Sequence, residues 1–157
     1  MRHTISVLVE NKFGVLARIA GLFSARGYNI TSLTVGETED PSISRMTIVV
    51  NAQDENILEQ IKKQLHKLID IITVLDLTRK EFFERELLLI KINFEKNLKT
   101  KLDDIIKQFN CELLLEDKDF CIIEATLEEE KIKEFLSKLK GFEIKQLVRT
   151  GKVAIQK

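Results

Sequence analysis

Asn11-Lys-Phe-Gly-Val-Leu-Ala-Arg-Ile-Ala-Gly-Leu-Phe-Ser-Ala-Arg-Gly-Tyr-Asn29 is the stretch that decides how this chain folds. Val15, Leu16, Ile19, Leu22 and Phe23 recur at the spacing of one helix face, so it reads as a helix entered at Gly14 and left at Gly27, which fits the C′ position. The first turn of a helix leaves backbone N–H groups unpaired at the positive end of the dipole. The backbone of residues 14–16 is therefore a candidate cradle for a small carboxylate. Asn29, past the helix, can both donate and accept hydrogen bonds. Taken alone, these features read as a plain turn and loop rather than a ligand site.

Working outward, residues 4–10 alternate as a strand, with Ile5, Val7 and Val9 on one face. After the helix, residues 28–38 are rich in β-branched residues, but Ile30 and Leu33 fall on opposite faces, which predicts a bend or bulge. The polar segment 37–42 holds the only proline and reads as a hairpin connection, after which Met46, Ile48 and Val50 alternate. Asp54 is the expected N-cap of a second helix with Leu58, Ile61, Leu65 and Leu68 inside and Glu59 paired with Lys63 outside. Residues 69–77 close the unit as a strand.

The same order then recurs. A strand at 87–94 leads to a helix presenting Leu98, Leu102, Ile105, Ile106 and Phe109, then to a hairpin across 116–119. Thr126 and Glu129 have capping-box spacing before a helix that buries Ile132, Phe135, Leu136 and Leu139 and is stopped by Gly141, and a strand follows at 142–148. Two such units make an α+β protein of two ferredoxin-like βαββαβ domains in tandem, at 1–78 and 86–157, with a linker at 79–85.

Composition narrows the function. The 157 residues carry 25 basic and 25 acidic side chains, which removes the electrostatic footprint of a nonspecific nucleic-acid or anionic-membrane binder. No apolar run approaches the roughly 18 residues needed to span a bilayer, and no leader pattern opens the chain, so a cytoplasmic protein is expected. Cys111 and Cys121 lie in apolar alternating segments without metal or redox spacing and read as buried thiols. His3 and His66 read as ordinary surface histidines, and no phosphate loop, dinucleotide fingerprint, zinc-protease or nucleophile-elbow motif occurs. The third strand, Ser44-Arg-Met-Thr-Ile-Val-Val50, lacks the aromatics of an RNA-recognition sheet. An open face with Met46, Ile48 and Val50 or their neighbours is expected to meet another sheet or subunit instead.

Residues 7–50, and within them Arg26-Gly-Tyr-Asn-Ile-Thr-Ser-Leu-Thr-Val35 and Ser44-Arg-Met-Thr47, resemble the N-terminal ACT domain of the regulatory (small) subunits of acetolactate synthase, also called acetohydroxyacid synthase. The resemblance reaches the second unit at Glu84-Arg-Glu-Leu-Leu-Leu-Ile-Lys-Ile92, then thins to the pattern of elements and to Val148-Arg-Thr-Gly151. It implies a homodimer with no active site or cofactor of its own. Such a subunit binds and activates a catalytic (large) subunit, on which thiamine diphosphate, Mg and FAD are expected. It also confers feedback inhibition, with valine as the effector, in branched-chain amino acid synthesis. The same resemblance implies an effector site between paired ACT domains, lined by Asn11, Gly14, Val15 and Leu16 of one chain and Asn29 and Ile30 of the other. Gly36 is a further position where a larger residue would intrude. The alternative is a freestanding amino-acid-sensing module serving another enzyme or a transcription system. A helix-turn-helix is absent from the sequence pattern, which counts against the latter.

Overall fold

The computed structural model describes residues 2–51 and 55–157, so the expected cap Asp54 lies outside the described residues. The chain divides into two compact units, one formed by residues up to Phe83 together with Lys152–Lys157, the other by Glu84–Gly151.

In the first unit the strands are β1 (Arg2–Glu10), β2 (Ile30–Glu37), β3 (Ile43–Asn51) and β4 (Ile71–Asp76). They form an antiparallel sheet in the order β2-β3-β1-β4, with helices α1 (Val15–Ser24) and α2 (Glu55–Leu65) in the crossovers. Ile5, Val7 and Val9 of β1 and Met46, Ile48 and Val50 of β3 pack against Val15, Ile19, Leu22 and Phe23 of α1 and Leu58, Ile61 and Leu65 of α2. Each such side chain contributes about 1.5–3 kcal/mol on burial. Met46, Ile48 and Val50 are therefore core, not an open face. Their alternates Thr47 and Val49, with Thr4 and Ser6 across from them on β1, occupy the opposite face and are also buried. The slip expected in β2 is present as a register shift between Ile30 and Ser32.

The second unit repeats this plan with β5 (Phe82–Asn93), α3 (Lys99–Gln108), β6 (Glu112–Glu116), β7 (Phe120–Leu127), α4 (Glu129–Lys138) and β8 (Glu143–Arg149), in the order β6-β7-β5-β8. Leu88, Ile90, Ile92, Cys121 and Ile123 meet Leu102, Ile105, Phe109, Ile132 and Phe135. In both units the first helix ends on a left-handed residue, Gly27 (φ 68°) and Asn110 (φ 52°). In each, the next N–H reaches back five residues, Tyr28 to Phe23 O and Cys111 to Ile106 O, the Schellman arrangement that satisfies terminal carbonyls.

Several local expectations are corrected. Residues 82–85 belong to strand β5, and a ninth strand, β9 (Val153–Gln156), also pairs with β5. Glu59 pairs with Lys62 at 2.6 Å, not with Lys63, because the i,i+3 neighbour is as close on a helix surface as the i,i+4 one. Thr126 lies inside β7 and caps nothing. The N-cap of α4 is Glu128, which makes no side-chain cap, and Glu129 N–H donates instead to the Glu84 carboxylate at 3.1 Å. Gly141 is not left-handed; it ends a short 3₁₀ turn, Leu139–Gly141, and Phe142 turns the chain to extended backbone.

Cys121 is fully buried and Cys111 half-buried, and burial pushes the Cys111 thiol up to about 11. The Cys121 thiol is also raised, by burial first and then by Glu116 and Asp103 against the opposing pull of Lys99. Because the thiolate is the nucleophile, both thiols should react at least tenfold more slowly with a chromogenic disulfide at pH 8 in the native chain than in denaturant. Glu84→Ala, which removes the acceptor at the start of α4, should lower stability by about 0.5–2 kcal/mol in urea unfolding.

Candidate functional site

The loop after β1 is pinned from both sides. Glu10 N–H donates to Asp70 O at 2.9 Å, ahead of β4, and Asn11 N–H donates to Ser42 O at 2.7 Å, ahead of β3. The Asn11 side-chain amide donates to Pro41 O at 2.8 Å and to Glu37 Oε1 at 3.0 Å. Since both partners are acceptors, the NH₂ end must face them, and the Asn11 carbonyl oxygen remains available as an acceptor.

Gly14 follows with φ 82°, a left-handed conformation that costs other residues about 1–2 kcal/mol, and it stands at the N-cap of α1 without a side-chain cap. No acidic residue occupies the first turn. The Leu16 and Ala17 N–H groups, which have no intrahelical partner by geometry, thus meet no local carboxylate. Arg18 N–H donates to Gly14 O at 3.0 Å and begins the helical ladder. Val15 is buried in the core and anchors this end of α1, whereas Leu16 is 46% exposed.

Sequence reasoning passed over two residues here. The Arg18 guanidinium clamps Asp70, with Nε and Nη2 at 2.9 and 2.7 Å from Oδ2, and Asp70 is buried. Its Nη1 would lie 3.1 Å from a side-chain carbon built on Gly14. Position 14 is therefore restricted by its backbone conformation and by Arg18, and a cation stands beside the helix N-terminus. Spacing of four from Gly14 puts Arg18 on this face, but Asp70 is 52 residues away and comes near only through the sheet.

Asn29 and Ile30 are elsewhere. Ile30 pairs with Val50 at the start of β2, and Val50 pairs with His3 at the start of β1, whereas Asn11 follows Glu10, which pairs with Ile43. Seven residue steps along β3 separate Ile43 from Val50, about 24 Å at 3.4 Å per step. Within one chain, Asn11, Gly14, Val15 and Leu16 lie together, and Asn29 and Ile30 lie at the other end of the sheet. Gly36 pairs with Arg45 near the Asn11 end, and nothing lies within 4 Å of a side-chain carbon built on it.

Of the histidines, His66 is exposed but His3 is only 3% exposed, because the first residues of β1 are paired with β3 and closed over. Its two ring nitrogens have no hydrogen-bond partner among the described residues. Among those residues no cluster of His, Cys, Asp and Glu is arranged to hold a metal, and no helix is long and apolar enough to cross a membrane.

Comparison with known proteins identifies the architecture. Residues 5–73 match the family described as AHAS small subunit-like ACT domain, and residues 85–157 match the small subunit of acetolactate synthase. The chain belongs to the acetolactate synthase small-subunit family. It is 47% identical to the probable acetolactate synthase small subunit of Archaeoglobus fulgidus over 155 residues, spanning 99% of this chain and 96% of that protein. It is 41% identical to the acetolactate synthase small subunit of Bacillus subtilis, spanning 98% and 90%. The crystal structure of the acetolactate synthase small subunit from Thermotoga maritima superposes with a TM-score of 0.90 at 36% identity, covering 100% of this chain and 98% of that one. The second unit, which the sequence tied to the family only by its element pattern and short runs, is thus a family domain too. Small subunits with an ACT domain are regulatory, and this one is a regulatory subunit of the acetolactate synthase system.

Gly14→Ala should cost about 1–2 kcal/mol in chemical unfolding, since alanine must adopt φ 82° and crowd Arg18. At Gly36, where φ is ordinary and the space is open, the same change should be within about 0.5 kcal/mol.

Proposed function

We propose that this chain is a homodimeric, non-catalytic regulatory subunit that binds valine, activates an acetolactate synthase catalytic subunit and makes it sensitive to valine. The observation that carries the reading is the separation of the two half-sites along β2. Strand β2 is the outer strand of its sheet, and its Glu37 end is tied to Asn11 while its Ile30 end follows Asn29. Two β2 edges paired antiparallel about a two-fold axis bring the Ile30 end of each chain beside the Glu37 end of the other. Asn29 and Ile30 of one protomer then approach Asn11 and Gly14 of its partner.

In such a site each residue has a task. The N–H groups at the start of α1 and the Arg18 cation receive the carboxylate of the amino acid, the Asn11 carbonyl accepts from its ammonium, and Ile30 packs on the isopropyl group. One methylene more or less changes an apolar pocket's preference by only about 1–3 kcal/mol, so leucine and isoleucine are weaker effectors rather than non-binders. The chain works in the cytoplasm beside its catalytic partner, which carries thiamine diphosphate, Mg and FAD.

Thermal unfolding of the full chain tests the effector half. Valine at about 100 times its dissociation constant should stabilise the fold by about 2.7 kcal/mol, a rise of roughly 5–10 °C. Gly14→Asp and Asn29→Ala should each abolish that rise, although the two positions lie far apart in one chain. Mixing with a catalytic subunit tests the rest: pyruvate-condensing activity should increase, and valine should reverse the increase in the native chain but not in Gly14→Asp. An unchanged rate on mixing would overturn the partner assignment.

A further inference from the structure

Strand β2 carries an extra residue beside one half of the proposed effector site. Ile30 pairs with Val50 and Ser32 with Val49, so two steps along β2 match one along β3, and Thr31 is the bulged residue. In a regular strand Ile30 and Ser32, two apart, would share a face. Here Ile30 joins Leu33 on the side of the sheet that packs against α1 and α2, while Ser32 falls on the opposite face with Val49. The bulge therefore decides on which side of the sheet Ile30 stands, and it is the side that α1 covers.

Two hydroxyls hold the bulge. Thr31 Oγ1 donates to Val49 O at 3.0 Å, which ties the bulged residue back to β3 where the regular ladder is interrupted. Ser32 Oγ accepts from Lys152 N–H at 2.9 Å, although Lys152 is 120 residues further along the chain. Lys152 opens the last segment, which belongs to the first unit, with Lys152 and Ala154 buried and β9 paired to β5. At its other end Lys157 N–H donates to Glu81 O at 3.0 Å, and the Lys157 ammonium lies 3.2 Å from the Glu81 carboxylate. The segment is tied at both ends, so the donor that meets Ser32 has a fixed place. An apolar side chain at position 32 would leave that donor unpaired.

We propose that Thr31 and Ser32 are positioning residues of the effector site, and that the C-terminal segment serves that site by clamping the bulge through Lys152. The clamp fixes the side of β2 from which Ile30 meets the alkyl group of the ligand, and Asn29, the preceding residue, is carried with it. The part in ligand recognition rests on the valine reading above. The clamp itself does not.

Amide hydrogen exchange of the full chain without ligand tests the clamp, and equilibrium dialysis with valine and with 2-aminobutyrate, which is one methyl smaller, tests the positioning. Ser32→Ala should speed exchange over residues 30–33 roughly tenfold or more and leave residues 5–9 of β1 unchanged. It should weaken valine binding roughly 3- to 10-fold, the scale of one hydrogen bond, and narrow the preference for valine over 2-aminobutyrate. Thr31→Val, which keeps the branched shape, should act in the same direction, and Ser32→Thr, which keeps the hydroxyl, should behave as the native chain. Glu84→Ala, which destabilises the second unit, should leave the preference unaltered and so separates positioning from a general loss of stability. Unchanged exchange in Ser32→Ala would overturn the clamp. Faster exchange with unaltered affinity and preference would overturn the positioning role. A native chain that takes up no valine would refute the effector reading and the positioning with it, whereas the exchange result still decides the clamp.

Discussion

The nine-residue antiparallel pairing of β1 with β3, from Arg2 opposite Asn51 to Glu10 opposite Ile43, is the constraint on which the rest of the first unit depends. Its register puts Ile5, Val7 and Val9 on the same face as Met46, Ile48 and Val50, and a slip of one residue would turn all six to the other side. With the core face fixed, the two crossover helices have one place to dock. The pairing also sets the length of the sheet, and so the distance between the loop that leaves β1 and the residues that enter β2. The separation of Asn11 from Asn29 is a consequence of strand register, not of any local feature of either asparagine.

Against that rigid frame, the β1–α1 loop is defined by few contacts, each doing a different job. Backbone bonds to Ser42 and Asp70 fix where the loop starts, the amide of Asn11 fixes how its carbonyl points, and the left-handed Gly14 turns the chain into the helix. Asp70 is buried and would be costly there as a lone charge. Arg18 compensates it and, in doing so, holds a guanidinium beside the N-terminus of α1. A single ion pair thus secures the loop.

The element order of both units was legible because the apolar residues keep strict periods: two in β1 and β3, three and four in α1 and α2. Even the slip in β2 was written in Ile30 and Leu33. What could not be read were groups whose partners come from distant sequence. Glu84 at the start of α4 is 45 residues from the N–H it accepts, and Asp70 is 52 residues from Arg18. Thr126 and Glu129 have the spacing of a capping box, yet the strand continues through Thr126 because its pairing with Leu87 outweighs a local cap. His3 looked like a terminal surface residue because nothing near it in sequence reveals that it lies on the buried face of β1, beside Val50 of β3.

The proposed site, with its two halves at opposite ends of an edge strand, has a thermodynamic corollary. If the halves meet only across a pair of chains, the ligand binds the paired form and not the separated one, and by linkage pairing and binding must strengthen each other by the same factor. Coupling of about 1–3 kcal/mol, the usual scale of allostery, corresponds to a 5- to 150-fold change in affinity. A handful of hydrogen bonds to one zwitterion is enough to supply it. In the proposed arrangement the unit would need no hinge and no bistable core to act as a sensor. On that proposal the left-handed glycine, the anchored asparagine and the outer strand β2 are in place before ligand arrives, and what the ligand would change is how firmly two such surfaces hold together.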